Sequence, residues 1–103
     1  MARNSIIYTN SRSILNKLND LALILNEFSP TILCLTETWL GNDYPTTCLP
    51  LQDYDVYRKD RNLTKGGVLI AVEKDIFSKE INFSAGELEV MAIDLRFKTN
   101  DRI

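Results

Sequence analysis

A mixed α/β fold is predicted by three features of this sequence. Ile32-Leu33-Cys34-Leu35 is a continuous apolar run behind Ser29-Pro30, the pattern of a strand buried on both faces inside a sheet. Ile14, Leu18, Leu21, Leu25 and Phe28 recur at spacings of four and three, which draws one apolar stripe along a helix. Beyond residue 53 the spacing changes to two, the period of half-buried strands.

The elements follow in order. Ser5 to Tyr8 reads as a first short strand that ends at Thr9-Asn10-Ser11. The helix begins near Ser13, with Ser11 or Ser13 as its N-cap, and Ser29-Pro30 stops it. Strand, helix and buried strand in that order make a βαβ unit with parallel strands. Gly41 to Gln52 holds Pro45, Pro50, Gly41 and Asn42 and reads as an irregular loop. Tyr54 to Arg58 alternates as a strand, Asp60 to Gly67 is a polar hairpin connection, and Val68 to Val72 is the returning strand. A polar stretch then leads to a long strand, in which Glu89, Met91, Ile93, Leu95 and Phe97 alternate with Val90, Ala92, Asp94 and Arg96. Several strands with one strong helix leave sheet surface without a covering layer, so the chain reads as part of a larger domain.

Composition narrows the function classes. The 103 residues suffice for one domain, and 45% apolar with 25% charged residues is globular rather than disordered. No apolar stretch reaches the length of a membrane span, and the N-terminus lacks the pattern of a signal peptide. Cys34 reads as a small buried hydrophobe and Cys48 lies in the Pro-rich loop, which fits a reducing, intracellular compartment. The net charge of −2 argues against a nucleic-acid partner by charge alone, although Arg58, Lys59, Arg61 and Lys65 lie close together. The chain has no histidine, so the commonest general base and metal ligand is missing.

One carboxylate stands out. Glu37 follows the buried strand, at the end where ligands gather in α/β sheets, and a bound cation would compensate a poorly hydrated charge there. On its own context Glu37 reads equally well as an exposed junction residue, whereas Asn10 reads first as a turn or capping residue and Trp39 as a packing residue beneath the loop. Gly66-Gly67 is not a phosphate-binding loop, because Val68-Leu69 follows where such a loop needs Lys-Ser/Thr.

Three blocks shift that balance. Asn10-Ser11-Arg12-Ser13-Ile14 with Lys17-Leu18, then Pro30 to Leu40 with Thr36-Glu37-Thr38-Trp39-Leu40 at its end, then Tyr57-Arg58-Lys59-Asp60-Arg61 with Gly66-Gly67-Val68, occur in that order. Together they resemble the opening of the endonuclease domain of LINE-type (jockey-like) non-LTR retrotransposons, within the endonuclease/exonuclease/phosphatase superfamily. The resemblance implies a two-sheet α/β sandwich with a mixed sheet, of which residues 1–103 are the N-terminal part, about the first half. It implies that Glu37 holds a Mg²⁺ ion, with Mn²⁺ as a substitute, and that Asn10 lies near the metal and scissile phosphate. Separately from the resemblance, the basic cluster holding Arg58 and Arg61 could contact phosphates, but with Asp60 interleaved the preferred account is a solvated hairpin. The implied whole domain nicks DNA to prime a downstream reverse transcriptase, in the nucleus of the host cell. The family's His–Asp pair, its middle Asp/Asn pair and its Tyr have no counterpart here. Arg12 stands where some relatives carry an acidic residue. Two other readings stay open: a phosphatase or RNA nuclease of the same superfamily, and a non-catalytic remnant that binds nucleic acid, another protein or its own copy through the incomplete sheet.

Overall fold

The computed structural model describes residues 4–82 and 85–97. Four strands form the main sheet: β1 (Ile6–Asn10), β2 (Ile32–Thr36), β3 (Tyr54–Lys59) and β4 (Val68–Glu73), in the spatial order β1-β2-β4-β3. β1 and β2 are parallel, and β4 runs antiparallel to both β2 and β3, so the sheet is mixed. A second sheet of two antiparallel strands, β5 (Phe77–Ile81) and β6 (Ala92–Arg96), completes the described fold.

The helix α1 (Leu18–Phe28) connects the parallel pair, as the βαβ reading expects. It starts later than the sequence suggests, after a 3₁₀ turn at Leu15–Lys17, and neither Ser11 nor Ser13 caps it. Ser11 Oγ instead donates to the carbonyls of Thr36 and Glu37, at 2.9 and 3.1 Å. Ser29 ends the helix in the left-handed conformation (φ 42°), with its amide on Leu25 O at 2.9 Å. Ile14 and Leu21 are buried and Leu18 and Leu25 pack beside them, but Phe28 at the end of the stripe is 63% exposed.

Strand register separates the two faces of the sheet. Ile7, Leu33, Ala71 and Val56 share one rung, and Thr9, Leu35, Leu69 and Arg58 the next. This face holds the core, closed by Ile14 and Leu21 on one side and by Leu40, Leu49 and Leu51 from the long loop on the other. The opposite face carries Ile6, Tyr8, Cys34 and Ile70, and there Ile6 and Tyr8 are 53% and 64% exposed. β2 is buried at Leu33 and Leu35 on the core face and at Ile32 on the opposite one, while Cys34 on that second face is half-buried because the face is only partly covered.

The β5–β6 hairpin attaches to that second face. Tyr57 and Ser78 share a hydroxyl hydrogen bond of 2.7 Å, and Lys59 Nζ donates to Val90 O at 3.2 Å. β5 is absent from the sequence reading, which treats this region as a polar stretch. Phe77, Lys79 and Ile81 point outward while Ser78 and Glu80 are half-buried, so the apolar residues mark the wrong face. The guanidinium of Arg96, opposite Phe77 in register, covers its ring at 5.6 Å. β6 keeps the predicted phase, with Ile93 and Leu95 inward and Asp94 and Arg96 outward, but it is shorter. Residues 98–103, read as a polar stretch past this strand, lie outside the described residues.

The long loop after β2 is irregular, as expected, apart from one 3₁₀ turn at Thr46–Cys48. Arg58 ties it to β3. Its guanidinium donates to Tyr44 O (2.6 Å), Thr46 Oγ1 (3.0 Å), Gly41 O (3.1 Å) and both carboxylate oxygens of Asp60 (3.2 and 2.8 Å). A guanidinium has five N–H donors, and five bonds are made. An ammonium can supply only three, from a single point, so Arg58→Lys is expected to lower stability by about 1–3 kcal/mol. Urea unfolding followed by circular dichroism checks this, and an unchanged midpoint would mean that the cage does not hold the loop.

Candidate active site around Glu37

Three loops meet beyond the ends of β1 and β2. The chain leaving β1 stays paired with the chain leaving β2: Ser11 N donates to Thr36 O (2.8 Å), Ser13 N to Glu37 O (2.9 Å) and Ile14 N to Thr38 O (3.0 Å). On the other side Thr38 N donates to Gly67 O (3.3 Å) and Trp39 N to Gly66 O (3.0 Å). Four non-glycine residues adopt positive φ in these paired segments: Arg12 (44°), Ser13 (76°), Glu37 (53°) and Trp39 (56°). Such backbone costs about 1–3 kcal/mol per residue and persists where the surroundings over-determine it, commonly at functional sites. Lys17 helps hold it, because its ammonium donates to the carbonyls of Arg12 and Ser13, at 2.7 and 3.1 Å.

The Gly66-Gly67 turn has to be glycine. Its residues lie at φ 74° and 99°, and a Cβ on Gly67 would collide with the hydroxyl of Thr38. Thr38 is fully buried, and its hydroxyl oxygen has no hydrogen-bond partner among the described residues. The close approach of the turn thus depends on a bare backbone facing a small side chain.

Glu37 is held by one oxygen. Its Oε1 accepts from the indole Nε1–H of Trp39 at 2.9 Å and from the amide of Gly66 at 3.3 Å. These two bonds, the indole first, hold its carboxyl below the usual carboxylate range. Partial desolvation opposes them, and the charges of Arg61 and Arg12 add to them. Among the described residues no hydrogen bond is made to Oε2. Trp39 is therefore not a packing residue beneath the loop. It is half-exposed, and the alternate turn of backbone at Glu37 and Trp39 brings indole and carboxylate together across two residues.

Asn10 closes β1 and pairs in register with Thr36, so it stands on the same sheet edge as Glu37. It is exposed, as are Arg12 and Arg61. Arg58 differs from Arg61. All of its donors are engaged in the loop cage and its side chain is 11% exposed, so a phosphate would have to displace existing partners. The site thus gathers Asn10, Glu37, Arg12 and Arg61 near one edge, with Trp39 and the Gly66-Gly67 turn as supports that sequence spacing did not reveal. Among the described residues no three His, Cys, Asp or Glu side chains cluster as a metal cage. An ionised carboxylate with one open oxygen can still take a hard cation that keeps most of its waters.

No protein-family profile and no curated protein matches the sequence. Solved structures do. An AP endonuclease from Archaeoglobus fulgidus superposes with a TM-score of 0.63 at 27% identity, over 84% of this chain and 33% of that one. The 3′ phosphatase NExo from Neisseria, bound to product DNA hairpin, gives 0.61 at 22% identity over 76% and 32%. The 3′-5′ exonuclease NExo from Neisseria meningitidis gives 0.57 at 25% identity over 73% and 30%. The fold is thus of the endonuclease/exonuclease/phosphatase type, with a mixed sheet and a second, smaller one. The chain spans about a third of the length of each of these proteins.

The hydrogen bond from Trp39 ties Glu37 ionisation to stability. A carboxyl held below its ordinary value stabilises the fold above that value, and the contribution is lost as pH falls through the folded pKa. Trp39→Phe is therefore expected to be less stable than the wild type near neutral pH, and the gap should narrow as pH falls below about 4.3. Urea midpoints of both proteins across that range check it. A gap that stays constant would show that the indole does not act on the carboxylate.

Proposed function

We propose that the chain is the N-terminal part of a metal-dependent DNA endonuclease domain, of the kind that nicks target DNA for a retrotransposon of the LINE type. The observation that carries the reading is the Glu37 carboxylate, fixed through one oxygen and open at the other, on a strand edge shared with Asn10. It stands on the fold of enzymes that cleave phosphoesters. The order of the Asn10, Glu37 and Arg58–Val68 blocks supports the retrotransposon branch over a phosphatase or an RNA nuclease.

The donor set fits a magnesium ion. Glu37 would hold it through a hard carboxylate oxygen, with waters and phosphate oxygens filling the other positions, and Mn²⁺ would substitute. When bound, the ion supplies Lewis-acid stabilisation of charge on the phosphoryl oxygens. The chain's own residues do the rest of the positioning. Trp39 and Gly66 keep Glu37 ionised and in one orientation. The amide of Asn10 can donate to a phosphate oxygen without adding negative charge. Arg61 and Arg12 place positive charge around the edge to which a DNA backbone would come, and Arg58 supports the neighbouring loop. No residue of this chain matches a histidine base that could activate the attacking water.

A second reading has its own observation. Ile6 and Tyr8 expose apolar surface on β1, which has no second neighbouring strand among the described residues, and this suits association with another chain.

The 103-residue chain is expected to leave supercoiled DNA uncut in Mg²⁺. Joined to a polypeptide that supplies the remaining two-thirds of the domain, it should nick, and Glu37→Gln there should lower the rate by about 10²-fold or more. Nicking by the short chain that is lost in Glu37→Gln would overturn the assignment of roles. An extended protein indifferent to Glu37→Gln would overturn the site.

A further inference from the structure

The turn that holds Glu37 is itself held from the far side. Gly66 and Gly67 present consecutive amides to two different carboxylates: Gly66 N donates to Glu37 Oε1 at 3.3 Å, and Gly67 N donates to Glu89 Oε1 at 2.9 Å. Glu89 comes from the segment before β6, 22 residues away. That segment is anchored at the next residue, where Val90 O accepts from Lys59.

We propose that Glu89 is a positioning residue for Glu37, acting through the Gly66-Gly67 turn. The inference rests on Glu37 being the working carboxylate of the site. Two adjacent amides aimed at two carboxylates define the orientation of both peptide planes of the turn. Glycines at positive φ have wide conformational freedom; Thr38 and Trp39 hold the carbonyls of the turn, and Glu89 adds a hold on the amide of Gly67. Both acceptors are carboxyl oxygens, and the Gly67 bond is the shorter of the two. The Gly66 bond to Glu37 then depends on it: rotation of the turn away from Glu89 swings the Gly66 amide off Oε1. Through this clamp the segment that leads into β6 also contributes to the site. Glu89 itself takes part in no bond-making step.

Amide exchange in the 103-residue chain, measured by NMR without added metal, tests this. In Glu89→Ala the Gly66 and Gly67 amides should exchange about tenfold faster or more, with the indole N–H of Trp39 following, while the amides of Leu33 and Ala71 stay at wild-type rates. Glu89→Gln retains a carbonyl acceptor and should recover part of the protection. The proposal is overturned if Gly66 is unchanged in Glu89→Ala. It is equally overturned if Leu33 and Ala71 accelerate as much as Gly66, or if Ala and Gln behave alike. Should Glu89→Ala fail to fold, Glu89→Gln decides alone: Gly66 and Gly67 must accelerate together by about threefold, because a neutral acceptor is roughly half as strong, and an unmoved Gly66 refutes the clamp. These rates do not depend on metal binding, so they separate this inference from the reading of Glu37 as a metal ligand, which Mg²⁺ titration of the wild type tests.

Discussion

The structure depends on backbone pairing that continues past the ends of its strands. β1 and β2 stop at Asn10 and Thr36, yet the chains that leave them remain hydrogen-bonded through Ile14 and Thr38. The Gly66-Gly67 turn completes the arrangement from the other side, at Thr38 and Trp39. Ordinary loops would diverge here. The pairing is what permits four side-chain-bearing residues to hold left-handed backbone, and those twists place Glu37 and Trp39 in contact. Without it Glu37 would be one exposed carboxylate among many.

The rest of the molecule serves to fix those three loops. The core under the helical face sets the level of β2 and β4, so that the turn before β4 arrives beside the chain after β2. Arg58 and Asp60 hold the long loop that follows Leu40, and Lys17 closes the carbonyls of the loop after β1. Arg58 and Lys17 both donate from a cationic group to backbone carbonyls of the loops they hold. Among the clustered basic residues this separates Arg58, whose donors are all engaged, from Arg61, which is exposed near Glu37.

Much of this was legible in the sequence where periodicity carried it. β1, α1, β2, β3 and β4 all follow from apolar spacing, and the placement of Asn10 and Glu37 on one edge follows from the parallel βαβ unit. What escaped was non-local or inverted. β5 turns Phe77 and Ile81 outward, against the rule that apolar residues mark the inner face. Ser11 has the chemistry of a helix cap but spends its hydroxyl on Thr36 and Glu37. Trp39 depends on positive φ at residues with no glycine signal, and Glu89 reaches a turn 22 residues away. Arg58 reads from its neighbours in sequence as part of a solvated basic hairpin or, failing that, as a phosphate contact, whereas its partners lie at residues 41–46 and 60.

The central claim is that Glu37 presents one open carboxylate oxygen to a divalent cation. Paramagnetic broadening by Mn²⁺ in the NMR spectrum of the chain tests it most directly. The account predicts weak binding, well above the micromolar range, because one protein carboxylate leaves the ion largely hydrated. Broadening should be strongest at the Trp39 indole, the Gly66 amide and the Asn10 side chain, and should vanish in Glu37→Gln. Broadening centred on other acidic residues, or unaffected by Glu37→Gln, would contradict it.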